Sequence, residues 1–112
     1  RFSLYSFCKY SFISSFVFPV LAKNIYSETL AICNYTNRAN KVFVKTRADY
    51  QLRREFQNKA ISEISALRKD IERAMEVCNI PGKEIDYWEG LLEPIEELLR
   101  NWRNSEFEKY MG

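Results

Sequence analysis

The feature that most limits what this chain can fold into is a stripe in its middle third. Phe56, Ala60, Ile64, Leu67, Ile71, Ala74 and Cys78 recur in alternating steps of four and three residues. That spacing holds all of them on one face of an α-helix. A strand, whose faces alternate at every residue, cannot satisfy it. Arg54, Glu55, Arg68, Lys69, Glu72 and Arg73 fall on the other side, a mixture suited to water. Just ahead, Thr46-Arg47-Ala48-Asp49 has the form of a capping box with aspartate in place of the usual Glu or Gln.

Two further stripes flank this one. Leu21, Ile25, Thr29, Ile32, Thr36, Ala39 and Phe43 precede it, with Pro19 suited to a first-turn position where its missing N–H is not needed. Trp88, Leu91, Leu92, Ile95, Leu98, Leu99 and Trp102 follow it, after the stop and turn Asn79-Ile80-Pro81-Gly82. Pro94 lies inside that last segment and predicts a kink, since it cannot donate to the Gly90 carbonyl. With 3 Gly and 3 Pro in 112 residues, a turn-rich β fold is excluded. The expectation is an all-α, antiparallel bundle of three long helices at residues 19–44, 46–79 and 83–104. Three stripes make a thin core, so the bundle is expected to be completed to four helices by the N-terminal segment or by a neighbouring subunit.

On this reading residues 19–106 form one helical bundle domain and the polar residues 107–112 fray. Residues 1–18 read as an aromatic-rich extension, either an extra packed helix or tag-like; the chain opens on Arg1 rather than Met. Their apolar run from Phe16 to Ala22 is far short of the ~20 residues that span a bilayer, and serines interrupt the apolar stretch a secretory signal needs. No membrane association is expected. Cys8, Cys33 and Cys78 are odd in number and widely spaced, which argues for a reducing, cytoplasmic setting. Cys33 and Cys78 fall beside apolar stripes and read as buried thiols.

Absent chemistry narrows the function. The chain has no histidine, which removes Ser-His and Cys-His nucleophile pairs and most zinc sites. Three glycines cannot build a phosphate-cradling loop. Glu89, Glu93, Glu96 and Glu97 lie away from the Trp88–Ile95–Trp102 line and read as a solvated face, not as a metal cluster. Trp88 and Trp102 themselves fit the core, with anchoring at a subunit interface as the other option. No catalytic residue, metal or cofactor is expected.

The net charge of +2 conceals a lopsided distribution. Residues 38–59 carry seven basic side chains against Asp49 and Glu55, whereas residues 84–97 carry six acidic ones and no base. Asn37, Asn40, Asp49 and Arg53 fall at one end of the first helical hairpin and predict a polar layer. That layer either fixes helix register or leaves Arg53 facing a partner or a phosphate. Arg38, Lys41, Lys45, Arg47, Arg54 and Lys59 gather around the same turn. Such a corner suits phosphate contacts, and equally the docking of one subunit's basic corner on another's acidic third helix.

Five short strings carry a resemblance: Asn37-Arg38-Ala39-Asn40, Arg47-Ala48-Asp49-Tyr50-Gln51-Leu52-Arg53-Arg54, Gln57-Asn58-Lys59-Ala60, Tyr87-Trp88 and Trp102-Arg103-Asn104-Ser105. Together, over residues 19–106, they resemble small four-helix-bundle proteins of mobile elements. The likeness is to the accessory variability determinant (Avd) of diversity-generating retroelements and, more distantly, to the proteins encoded in intervening sequences of 23S rRNA genes. The resemblance implies a non-catalytic accessory protein that forms a ring-like homo-oligomer. Such a protein binds a reverse transcriptase and RNA or DNA through a basic surface, with Arg38, Lys41, Arg47, Arg54 and Lys59 at the matching positions. The alternative function is a structural or protein-interaction module, homo-oligomeric and phage or mobile-element associated, with no nucleic-acid role.

Overall fold

A computed structural model of the chain describes residues 14–78 and 81–111, and every regular element among them is an α-helix. α1 spans Ser14–Lys41, α2 spans Arg47–Cys78 and α3 spans Gly82–Met111. The three predicted helices are therefore present, with shifted ends. α1 begins before Pro19, which lies inside the helix and not in its first turn. It also stops short of residue 44, closing with a tight turn in which the Val42 N–H donates to the Ala39 carbonyl at 3.3 Å. α3 passes unbroken through Pro94 and continues to Met111, so residues 107–111 are helix and not the expected frayed tail. The expected extra N-terminal helix falls on residues 1–13, outside the described residues, and on residues 14–18, which belong to α1.

Neighbouring helices run antiparallel. Tyr35 near the end of α1 stacks on Phe56 early in α2, with ring centroids 6.4 Å apart. Tyr50 at the start of α2 meets Tyr110 at the end of α3, with centroids 5.4 Å apart. α1 and α3 each pack along α2, but among the described residues their Cα atoms nowhere come within 8 Å of one another. The middle helix accordingly supplies most of the core. Ala60, Ile61, Ile64, Leu67 and Ile71 cluster with Ile32 of α1 and with Leu92 and Leu99 of α3. Ile61 lies one position off the stripe that defined α2, seven residues from both Arg54 and Arg68, which reach α3.

The partial covering explains where the sequence pattern overstates the interior. Leu92 and Leu99 are buried and Trp88 and Trp102 partly so, whereas Leu91, Ile95 and Leu98 are exposed at 49%, 44% and 70%. α2 covers one flank of the broad α3 stripe and leaves the other bare. Among the described residues no helix is long and apolar enough to cross a membrane.

On α1 the predicted stripe holds at Leu21, Ile32 and Ala39, which are buried, and fails at Thr29 and Phe43. Thr29 is exposed and its hydroxyl donates to the Ile25 carbonyl at 2.8 Å. Glu28 instead turns towards α2, against Asp70, which is itself buried and accepts from the Arg73 guanidinium at 3.0 Å. Burial first, then the hydrogen bond and charge that Asp70 presents, then the charge of Glu63, push the Glu28 carboxyl up from its ordinary 4.5 to about 7; Arg73 pulls it down. The folded chain thus holds this proton more tightly than the unfolded chain does. Its stabilising contribution is complete below the ordinary value and is lost as pH rises through about 7. Glu28→Gln should therefore raise the melting temperature at pH 8 and leave it nearly unchanged at pH 4. Thermal melts followed by circular dichroism at both pH values check this, and an equal effect at both would contradict it.

Candidate nucleic-acid interface

The turn joining α1 to α2 is built from the sequence outward. Residues 42–45 are non-helical, and their side chains alternate: Val42 and Val44 are half-buried, while Phe43 and Lys45 point into water. Thr46 then caps α2. Its hydroxyl accepts from the Asp49 N–H at 3.2 Å, and the Asp49 carboxylate accepts from the N–H groups of Thr46 and Lys45 at 3.1 Å each. This is the predicted capping box with aspartate in its third position. Those two backbone N–H groups hold the Asp49 carboxyl below the usual carboxylate range. The Asp49 carboxylate thus already places one anion at this helix N-terminus.

Arg53, one turn further on, ties three parts of the chain together. Its guanidinium donates to the Glu106 carboxylate on α3 and to the Val42 carbonyl in the turn, and lies 5.8 Å from the centre of the Trp102 ring. Both members of the ion pair are largely out of water, at 16% and 9% side-chain exposure. The polar layer expected of Asn37, Asn40, Asp49 and Arg53 is not assembled, since no two of the four are hydrogen-bonded to each other. Asn37 and Asn40 are exposed, and Asp49 is engaged in the cap. Arg53 finds its carboxylate on α3, and the reading in which it faces a partner or a phosphate is set aside. Glu106 has no place in the sequence reading because it lies beyond residue 104, the expected end of the third helix. The signal available was its spacing: Leu92, Leu99 and Glu106 are seven residues apart and all buried.

The tie brings the end of α3 beside the turn and sorts the predicted basic residues. Arg38, Lys41, Lys45 and Arg47 are exposed around the turn. Lys45 lies 5.2 Å from the Phe43 ring centre, and the Arg47 guanidinium reaches the Met111 sulfur at 3.1 Å. Arg54 is half-buried and not free in water; it donates to the Tyr50 hydroxyl at 3.1 Å and lies 5.2 Å from the Phe107 ring centre. Lys59 is not brought to the turn. It lies about 18 Å along the helix from Arg47, pairs with Glu55 at 3.7 Å and sits beside the Tyr35 and Phe56 rings. A cleft of about 430 Å³ opens between Val44, Lys45, Arg47, Tyr50, Tyr110 and Met111.

Two of the four carboxylates assigned to a solvated face are only partly exposed and paired across the helix interface. Glu89 and Glu96 face α2 and clamp Arg68, the former at 2.8 Å, and Glu96 also accepts from Arg100 at 2.7 Å. Those hydrogen bonds, from Arg68 foremost, pull the Glu96 carboxyl down and, with Glu89, push the Arg68 guanidinium up. Glu93 and Glu97 are exposed. Cys33, read as a buried thiol, is free and exposed; Cys8 and the Cys78 side chain lie outside the described residues. Compared with protein-family models, with curated proteins and with solved structures, the chain matches none.

Removing one partner of a desolvated ion pair leaves the other charged and alone. Arg53→Met should cost about 3–5 kcal/mol in chemical denaturation. Arg53→Met combined with Glu106→Leu should recover most of that loss, since the buried charge goes with its partner.

Proposed function

We propose that this chain is a non-catalytic helix-bundle accessory protein that binds nucleic acid, alone or with a reverse-transcriptase partner, through the basic corner at the α1–α2 turn. The observation that carries the reading is the corner itself. Arg38, Lys41, Lys45 and Arg47 are exposed within ten residues of chain, and none of the four forms an ion pair among the described residues. The nearest acids are spent elsewhere, Asp49 in the cap and Glu106 on Arg53. These four cations outnumber the nearby Asp49, whose charge acts on Lys45, and an excess of cations favours a polyanion, whose condensed counterions are released on binding. The resemblance to Avd directs the choice of setting to a retroelement, and cytoplasmic placement goes with it.

A second reading, a structural or protein-interaction module without a nucleic-acid role, draws on a different observation. Leu91, Ile95 and Leu98 form an exposed apolar strip on α3, and among the described residues no Cα of α1 lies within 8 Å of α3. Both are what a bundle completed by further copies of the chain would show, and a homo-oligomer is compatible with either reading.

With about four phosphate contacts, affinity for RNA or DNA should fall by about a hundredfold between 50 and 200 mM salt. Lys41→Glu with Arg47→Glu should lower affinity further and flatten that dependence. Filter binding measures both. Absence of binding at 50 mM salt, with an oligomer found by light scattering, would favour the second reading.

A further inference from the structure

The corner carries more than charge. Phe43, Phe107 and Tyr110 are exposed at 73%, 46% and 36%, and all three belong to the elements that Arg53 draws together. Single exposed apolar side chains are ordinary on a protein surface, but three aromatic rings gathered with cations at one end of a bundle are not. Each ring has its own cation at 5.2 Å from the ring centre: Lys45 at Phe43, Arg54 at Phe107 and Lys109 at Tyr110. Tyr110 also leans on Tyr50 and borders the 430 Å³ cleft, so the aromatic and basic surfaces are continuous there. The acids within this end are Asp49, held in the cap, Glu106, held by Arg53, and Glu108, which is exposed.

The combination distinguishes between nucleic acids. In a duplex the base faces are stacked on one another, and phosphate contacts alone would leave the three rings unused. A single strand offers free base faces, and stacking on aromatic side chains is insensitive to which base is present. The geometry points to a single-stranded segment of nucleic acid as the ligand of this corner. Its bases stack on Phe43, Phe107 and Tyr110 while Arg38, Lys41, Lys45 and Arg47 hold its phosphates. This rests on the nucleic-acid reading above and adds strand state and the stacking residues to it.

Fluorescence anisotropy on the full chain at 100 mM salt tests it, with one labelled 15-nucleotide sequence prepared as single-stranded DNA, single-stranded RNA and duplex DNA. Either single strand, or both, should bind at least tenfold more tightly than the duplex, and the two single-stranded arms separate DNA from RNA as the ligand. Phe43→Ala should weaken single-strand binding by about tenfold and leave duplex binding unchanged, while Phe43→Trp should preserve both. Phe43 is largely exposed, so neither substitution disturbs the core. Equal affinity for single strand and duplex, or no effect of Phe43→Ala and Phe107→Ala while Lys41→Glu still weakens binding, would overturn stacking and leave the electrostatic reading standing. No binding to any of the three would overturn both.

Discussion

Arg53 reaches three parts of the chain at once: the carbonyl of Val42 in the first turn, the Glu106 carboxylate on α3 and the face of Trp102. A guanidinium suits this because its planar fork donates in several directions while its face lies on a ring. Taking the two charges out of water is expensive, and the pair is tolerable only because each finds good partners. What the tie fixes is position. It holds the end of α3 against the α1–α2 turn, and the exposed cations and rings of the candidate interface come from those two places. Arg68, clamped between Glu89 and Glu96, repeats the arrangement further along the same helix pair. α3 is therefore joined to α2 by a narrow apolar seam and two arginine ties, whereas α1 is joined by a longer apolar seam and a carboxyl pair.

That difference follows from where α2 directs its apolar side chains. Phe56 of its main stripe stacks on Tyr35 of α1, and Ile61 lies in line with Arg54 and Arg68, which reach α3. One helix serves two neighbours whose Cα atoms, among the described residues, nowhere come within 8 Å. The outer apolar strip of α3 is left bare by this layer-like arrangement. In the account proposed here that strip is the place for further protein, and the polar corner is the place for nucleic acid.

How far the fold could be read in advance depends on the kind of signal. The α2 stripe, the capping box and the three-helix order rest on spacing, which survives folding because helix geometry imposes it. The α1 stripe was drawn through Thr29 where the structure uses Glu28, since steps of three and four can be traced through either residue and a carboxyl at an interface carries no hydrophobic mark. Glu89, Glu96 and Glu106 went unread for the same reason: a charged residue facing another helix looks, in sequence, like one facing water. Phe43 was assigned to the core because the stripe was continued past Lys41, where α1 ends and an extended alternation takes over. Of the candidate site, the cations around the turn were legible as a cluster. The aromatic half was not, because Phe107 and Tyr110 lie in a segment expected to fray and are placed by contacts between helices, Arg53 with Glu106, Arg54 with Phe107 and Tyr50 with Tyr110.

The central claim is that the turn and the end of α3 act as one surface. Hydrogen–deuterium exchange with and without the single-stranded oligonucleotide tests it directly. The account predicts slowed amide exchange in two separate stretches, residues 42–50 and residues 103–111, at the same ligand concentration. Protection confined to the first stretch, or falling instead on residues 84–98, would contradict it.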